Sequence, residues 1–168
     1  MKNKRVEDYI SKLNLIKHPE GGWYREIYKS EELIKQEYLP KRFSGNRHHS
    51  TSIYYLLRSH EYSAFHRIKS DEQWHFYDGD TIIIHMINNA GKYTIAKLGR
   101  DLDAGEVLQF TVPHSTWFAA AVEKPDSFAL VGCTVSPGFH FDDFEMGERK
   151  ELAKQFPEIE YVISRFTR

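Results

Sequence analysis

Cysteine is nearly absent from the sequence. Cys133 stands alone among 168 residues, so no internal disulfide can form, and dithiol redox chemistry is closed to the chain. It ends the apolar run Phe128-Ala129-Leu130-Val131-Gly132-Cys133, which reads as a buried strand carrying a thiol and suits a reducing cytosol. An excess of either charge is missing too. The 23 basic and 24 acidic residues are interspersed and leave a formal net charge of −1, so no basic face is on offer to nucleic acid or to an anionic membrane. No apolar stretch approaches the roughly eighteen residues of a membrane span, and the first nine residues are polar and charged, without the apolar core of a secretory signal. A cytoplasmic location is expected on those grounds. Neither a nucleophile elbow nor a phosphate-binding glycine loop is present, and the pair Gly21-Gly22 is too short to make one, so nucleotide hydrolysis drops out.

What the sequence does have is aromatic residues, with ten Tyr, eleven Phe and three Trp, a content that suits twisted sheets and the walls of an organic-ligand pocket. Runs rich in β-branched and aromatic residues recur at 23–29, 51–57, 63–68, 73–77, 81–87, 92–98, 106–112, 117–122 and 127–135. Turn chemistry separates them, as in Asp78-Gly79-Asp80, Asn88-Asn89-Ala90-Gly91 and Asp103-Ala104-Gly105. Many short, evenly spaced strands predict a sandwich or barrel. Val6, Tyr9, Ile10 and Leu13 recur at helical spacing before Asn14, which predicts an opening helix over about 4–13. Beyond Pro137-Gly138 the alternation stops, and Leu152, Ala153 and Phe156, then Ile159, Val162, Ile163 and Phe166 past Pro157, predict a helical tail over about 143–166. The longest polar connection, 31–49, is expected to be a surface loop or a lid.

The segment from His66 to Gly79 is the most informative. It places a His at the end of one strand, Glu72 at the opening of the next and Gly79 at its closing turn, so that His66 and Glu72 can converge on one interior wall of an antiparallel barrel. It resembles the first cupin motif, with His66, Glu72 and Gly79 in register, but Ile68 stands where that motif has a second metal-binding His. The segment Gly105 to Phe118 resembles the second cupin motif. Gly105 and Pro113 match, whereas Ser115 replaces a Gly and Phe118 replaces the His that completes the metal site. Together with His18-Pro19-Glu20-Gly21-Gly22-Trp23-Tyr24-Arg25-Glu26 and Ser50-Thr51-Ser52-Ile53-Tyr54-Tyr55, these segments are similar to the uncharacterised cupin family DUF985 or Cupin_5, over about 18–147.

The resemblance implies a mainly β fold, a double-stranded β-helix or cupin jelly-roll barrel at about 22–136 within one domain spanning 1–168, commonly a homodimer, with no established reaction. The fold it implies is similar to that of metal-free sugar-nucleotide epimerases such as the dTDP-4-dehydrorhamnose 3,5-epimerases. No cofactor is expected, since two of the four customary metal ligands are replaced, though a divalent metal held by His66, Glu72 and His75 remains a rival if the strand is bulged. By this analogy the barrel is expected to bind a small polar organic molecule, a carbohydrate or nucleotide-linked sugar, and to isomerise or epimerise it by proton transfer. His66 would be the base, Glu72 would tune it, and Tyr24 or Tyr77 would return a proton on the other face. Glu20 and Arg25 flank the Gly21-Gly22 pair, whose small size would let backbone approach a ligand, and Trp74, His75, Trp117 and Phe118 are the further candidates for ligand contact. A non-catalytic binding or sensing module is the other rival. For assembly, the strand at 23–29 is expected to reach a neighbouring copy across the 31–49 connection.

Overall fold

A computed structural model describes residues 2–168. The chain opens with helix α1 (Lys2–Lys12) and then runs through thirteen strands: β1 (Ile16–Lys17), β2 (Trp23–Lys29), β3 (Leu33–Ile34), β4 (Arg47–His48), β5 (Thr51–Arg58), β6 (Tyr62–Arg67), β7 (Asp71–Gly79), β8 (Ile82–Ile87), β9 (Tyr93–Leu98), β10 (Gln109–Val112), β11 (Trp117–Val122), β12 (Phe128–Ser136) and β13 (Glu145–Met146). Helices α2 (Arg149–Gln155) and α3 (Glu160–Arg165) close it. Nearly all the pairing is antiparallel, in a six-stranded sheet ordered β1-β2-β5-β12-β7-β10 that faces a five-stranded sheet ordered β13-β6-β11-β8-β9. This is the jelly-roll barrel that the cupin resemblance implies, where the alternating pattern alone predicts a sandwich or barrel.

Strand alternation sends Tyr55, Leu57, Trp74, Ile82, Ile84, Leu98, Phe118, Val122 and Val131 inward, where they form one buried cluster. The outer faces are partly covered by helices. On the six-stranded sheet, Val6 of α1 packs with Leu56, Phe128 and Leu130, and Asn14 ends that approach in the left-handed conformation at φ 51. On the other sheet, Leu152, Val162, Ile163 and Phe166 of the C-terminal segment cover Phe65, Ile87 and Trp117. Gly79 turns β7 into β8 at φ 101, where a Cβ would lie 2.1 Å from the Phe128 carbonyl oxygen, so no other residue fits.

One expectation about the early chain is corrected. The 31–49 connection is neither a bare surface loop nor a free lid, because it holds the small β3-β4 sheet, buries Phe43, and sends Arg47 into a buried two-pronged pair with Asp143, at 2.6 Å for both Nε and Nη2. Strand β2, the one expected to reach a neighbouring copy, pairs along one edge with β5 of its own chain from Trp23↔Leu56 to Lys29↔Thr51, and the two residues of β1 meet only the start of its other edge.

Candidate functional site

One end of the barrel is open, and its interior forms a cavity of about 210 Å³. The floor and one wall are polar, with His18, Glu20, Tyr24, Tyr55, His66 and Glu72. Phe139, Phe141 and Phe144 close the other side, on the irregular stretch between β12 and β13. That aromatic stretch is fixed from behind by the Arg47–Asp143 pair, to which Lys69 adds a contact at 3.4 Å.

The position of Glu20 is set by the turn after β1. Gly21 takes φ 121, and a Cβ there would lie 2.1 Å from the Tyr62 carbonyl oxygen, so only glycine lets the turn lie against β6. The Gly21-Gly22 pair therefore brings backbone onto a neighbouring strand rather than onto a ligand. The Ala64 N–H donates to the Glu20 carbonyl at 2.9 Å and the Tyr55 hydroxyl to that of Gly21 at 2.8 Å, which delivers the Glu20 side chain into the barrel.

Opposite it, β6 carries an irregularity. Phe118 pairs with His66 but Ala120 with Ser63, one extra residue on β6, so that Ser63 and His66 both face Glu20 where simple alternation would separate them. Ser63 Oγ donates to Glu20 Oε1 at 3.0 Å. His66 Nδ1 lies 2.7 Å from the Ala64 carbonyl oxygen, which can only accept, so Nδ1 carries the hydrogen. Nε2 is thus the nitrogen that gains or loses a proton, and it stands 3.1 Å from Glu20 Oε2. His18 has the reverse tautomer, since its Nδ1 accepts from the Glu20 N–H at 3.3 Å. Burial lowers the pKa of His18 and the nearby His66 adds to this, against the pull of Glu20, so His18 favours the neutral form.

Glu72 enters from β7 and is buried. Burial and then the charge of Glu20 push its carboxyl up to about 8, against the stabilising hydrogen bond of the Cys133 thiol, so at neutral pH it is largely a protonated acid. Burial, with Glu20 adding to it, also pushes the Tyr55 hydroxyl well above its ordinary value. Of the three carboxyl groups that line the pocket, Glu20 stands beside a histidine nitrogen and Glu72 is the protonated one, with Glu26 as the third.

The candidate residues sort by strand parity. Glu20, Tyr24, His66 and Glu72 come together in the cavity, while Phe118 packs on the His66 ring at 4.1 Å and forms its backing. Trp74 points into the barrel against Tyr55 at 5.9 Å, with its indole N–H unpartnered among the described residues. His75 faces outward, its Nε2 3.3 Å from Thr134 Oγ1, so it does not join His66 and Glu72. Tyr77 is 43% exposed on the same outer face, beside Tyr54, and Arg25 lies exposed opposite Tyr54. Trp117 turns to the helix-covered face, under Arg67. The carboxylate within reach of His66 is Glu20, so the partnership expected of Glu72 falls to Glu20. Sequence reasoning missed His18, Tyr55, the three phenylalanines and the pocket placement of Cys133. His18 sits two residues before Glu20 in a segment already singled out, which is the signal that could have found it.

The positions where a cupin metal would be held do not fit one here. Ile68 lines the cavity without a donor atom, Phe118 stacks on His66, and among the described residues no three His, Cys, Asp or Glu side chains form a metal-binding group. The loop at the second motif keeps its shape even so, because Ser115, in the motif's glycine position, takes φ 61.

The family model Cupin_5, described as Cupin superfamily (DUF985), matches residues 7–147. The uncharacterized protein YML079W of Saccharomyces cerevisiae is 31% identical over 156 residues, covering 82% of this chain and 73% of that one. Among solved structures, protein SO0799 of Shewanella oneidensis superposes with a TM-score of 0.87 at 43% identity, over 97% of each chain. A hypothetical protein from Leishmania major gives 0.87 at 32% identity, over 96% of this chain and 98% of the other. Oxalate decarboxylase of Bacillus subtilis is similar at 0.55 and 14% identity over 36% of its length, a likeness of fold alone.

Proposed function

The chain belongs to the Cupin_5 family of the cupin superfamily (DUF985), and from that premise we propose that its open-ended barrel binds a small polar organic molecule and moves a proton on it without a metal. The observation that carries this reading is the fixed tautomer of His66, which turns its Nε2 to Glu20 inside a cavity where another carboxyl, Glu72, is protonated. An epimerase must remove a proton on one side of a carbon and supply one on the other, and an isomerase must move a proton between adjacent carbons, so each needs a base and a proton donor. Here the Glu20–His66 pair is the base. Glu72 and the Tyr24 hydroxyl are the groups with a proton to give, so the tyrosine role rests on Tyr24 and not on Tyr77. A cavity of about 210 Å³ lies below the usual range for drug-sized ligands, about 300–1,000 Å³, and favours a monosaccharide-sized molecule over a nucleotide-linked sugar.

The test is solvent-deuterium exchange. Purified protein, dialysed against chelator, is incubated in D2O with small aldoses, ketoses and 2-amino sugars, and exchange at the carbon next to the carbonyl is followed by NMR. Exchange is expected with wild type, falling by about a hundredfold or more in His66→Gln and Glu20→Gln. Binding without exchange on every compound would make the chain a binding module, and exchange that appears only on adding back a divalent metal would overturn the metal-free reading.

A further inference from the structure

Fifteen residues line the cavity, and their charges are one-sided. Glu20, Glu26 and Glu72 are among them, and no lysine or arginine is. Arg47 and Lys69, the cations that meet the 139–146 stretch, are both engaged by Asp143 behind it. Arg25 projects from the outer face of the sheet. An anion entering this space would lose water and meet no lysine or arginine, and the two histidines there, His18 and His66, are already turned to Glu20. Glu72 is 8% exposed and meets no N–H or O–H donor among the described residues, only the Cys133 thiol, so its carboxyl is directed at the cavity with hydrogen-bonding capacity to spare. Glu26 at the mouth has no partner among the described residues. Across from these stand Phe139, Phe141 and Phe144, and aromatic rings attract cations as well as apolar carbon.

Resting on the reading of this cavity as a ligand site, we propose that the molecule it takes is a small organic cation: an amine whose ammonium group sits between Glu20 and Glu72 and whose carbon body lies against Phe139, Phe141 and Phe144. The charges then complete one another. Glu20 repels a second charge on Glu72, and an ammonium group between them removes the reason for Glu72 to stay protonated. Binding of an amine at neutral pH therefore expels the Glu72 proton, which leaves the Tyr24 hydroxyl as the proton donor toward a bound amine, and binding of a neutral molecule of the same shape does not.

Two matched series test this on the full chain at pH 7, by calorimetry and ligand-observed NMR: D-glucosamine, D-glucose and D-glucuronate, and benzylamine, benzyl alcohol and benzoate. The amine of at least one series is expected to bind about ten-fold or more tighter than its carboxylate, with the neutral compound between them. Calorimetry in buffers of different ionisation enthalpy should show up to about one proton released per amine bound, and none in Glu72→Gln. Glu26→Gln should narrow the preference for amine over acid. A carboxylate that binds as well as its amine, or amine binding with no proton release, overturns the proposal. If neutral or acidic compounds bind and Val135→Trp, which fills the cavity, abolishes that binding, the pocket reading stands and the cation proposal alone falls. If none of the compounds binds, or binding survives Val135→Trp, both fall.

Discussion

The two ends of the barrel are made by the same strands and differ in what those strands turn inward. Along β12 the inward residues run Ala129, Val131, Cys133, Val135, and along β5 from the same end they run Leu57, Tyr55, Ile53. At the closed end they meet Ile82, Ile84, Leu98, Ala120 and Val122, a wholly apolar packing. Two or three residues further along the strands the same alternation delivers Glu72 and His66, joined by Glu20 from outside the regular ladder. One end buries apolar area and holds the fold together. The other buries polar groups that cost stability unless partnered, and that cost is what leaves Glu72 protonated and Glu20 matched by His66 and Ser63. Stability and chemistry are thus separated along the barrel axis rather than between layers.

If the ends are separable, each should fail on its own. The largest expected effect is at the closed end: Ile84→Ala removes a fully buried side chain and should cost about 3 kcal/mol in urea unfolding, while the affinity of the amine probes stays within about two-fold. A parallel loss of binding would show that the ends are coupled. The next effect is at the open end and appears only as pH changes. Glu72 has its folded pKa raised to about 8 from 4.5, so its contribution to stability is whole below 4.5 and is lost as pH rises through 8. Glu72→Gln keeps the volume and removes the titration. Relative to wild type the variant should gain stability steadily across that window and level off above pH 8. Unfolding curves of the two proteins that stay parallel from pH 5 to pH 9 would remove the protonated acid from the site.

The fold was legible in the sequence because period-two alternation and turn residues are local signals, and the strands at 23–29 and 117–122 form over the very residues that the pattern marks. The site was legible where motif register could stand in for geometry, at His66 and Glu72, and at Glu20 and Tyr24 beside the glycine pair. Glu20 was singled out, but its meeting with His66 joins residues 46 positions apart through the Gly21 turn and the extra residue in β6, and neither has a periodic signature. The phenylalanine wall lies past the last alternating strand, where a short 3-10 turn at Phe141–Asp143 and β13 stand in place of the start of the expected helical tail, so Phe139, Phe141 and Phe144 had no periodic pattern to belong to. His75 and Trp117 were nominated for their chemistry, and parity put both on outer faces next to inward neighbours, Trp74 and Phe118. That parity is decided by which face of the sheet is core, which only the assembled barrel fixes.

Tyr77 gives the smallest expected effect and the sharpest limit on where the site ends. Its sequence position, five residues after Glu72, made it a candidate acid for the second face of a substrate. In the barrel the register of β12 against β7 shifts between Leu130 and Val131, so that Phe76 and Asp78 are opposed and Tyr77 is the extra residue between them. Its ring turns outward over Gly132, where a Cβ would lie 2.2 Å from the hydroxyl oxygen, and stands edge-on to Tyr54. The ring is therefore needed for packing on the outer face, and the hydroxyl has no hydrogen-bond partner among the described residues. Tyr77→Phe keeps the ring and should change stability by less than about 0.5 kcal/mol, leaving probe affinity and deuterium exchange within about two-fold of wild type. Tyr24→Phe, made in parallel, removes a hydroxyl that does line the cavity and should slow exchange by about ten-fold or more while the protein stays folded. The reverse result, with exchange lost in Tyr77→Phe and kept in Tyr24→Phe, would move the chemistry to the outer face of the six-stranded sheet and end the separation of the barrel into a structural end and a reactive one.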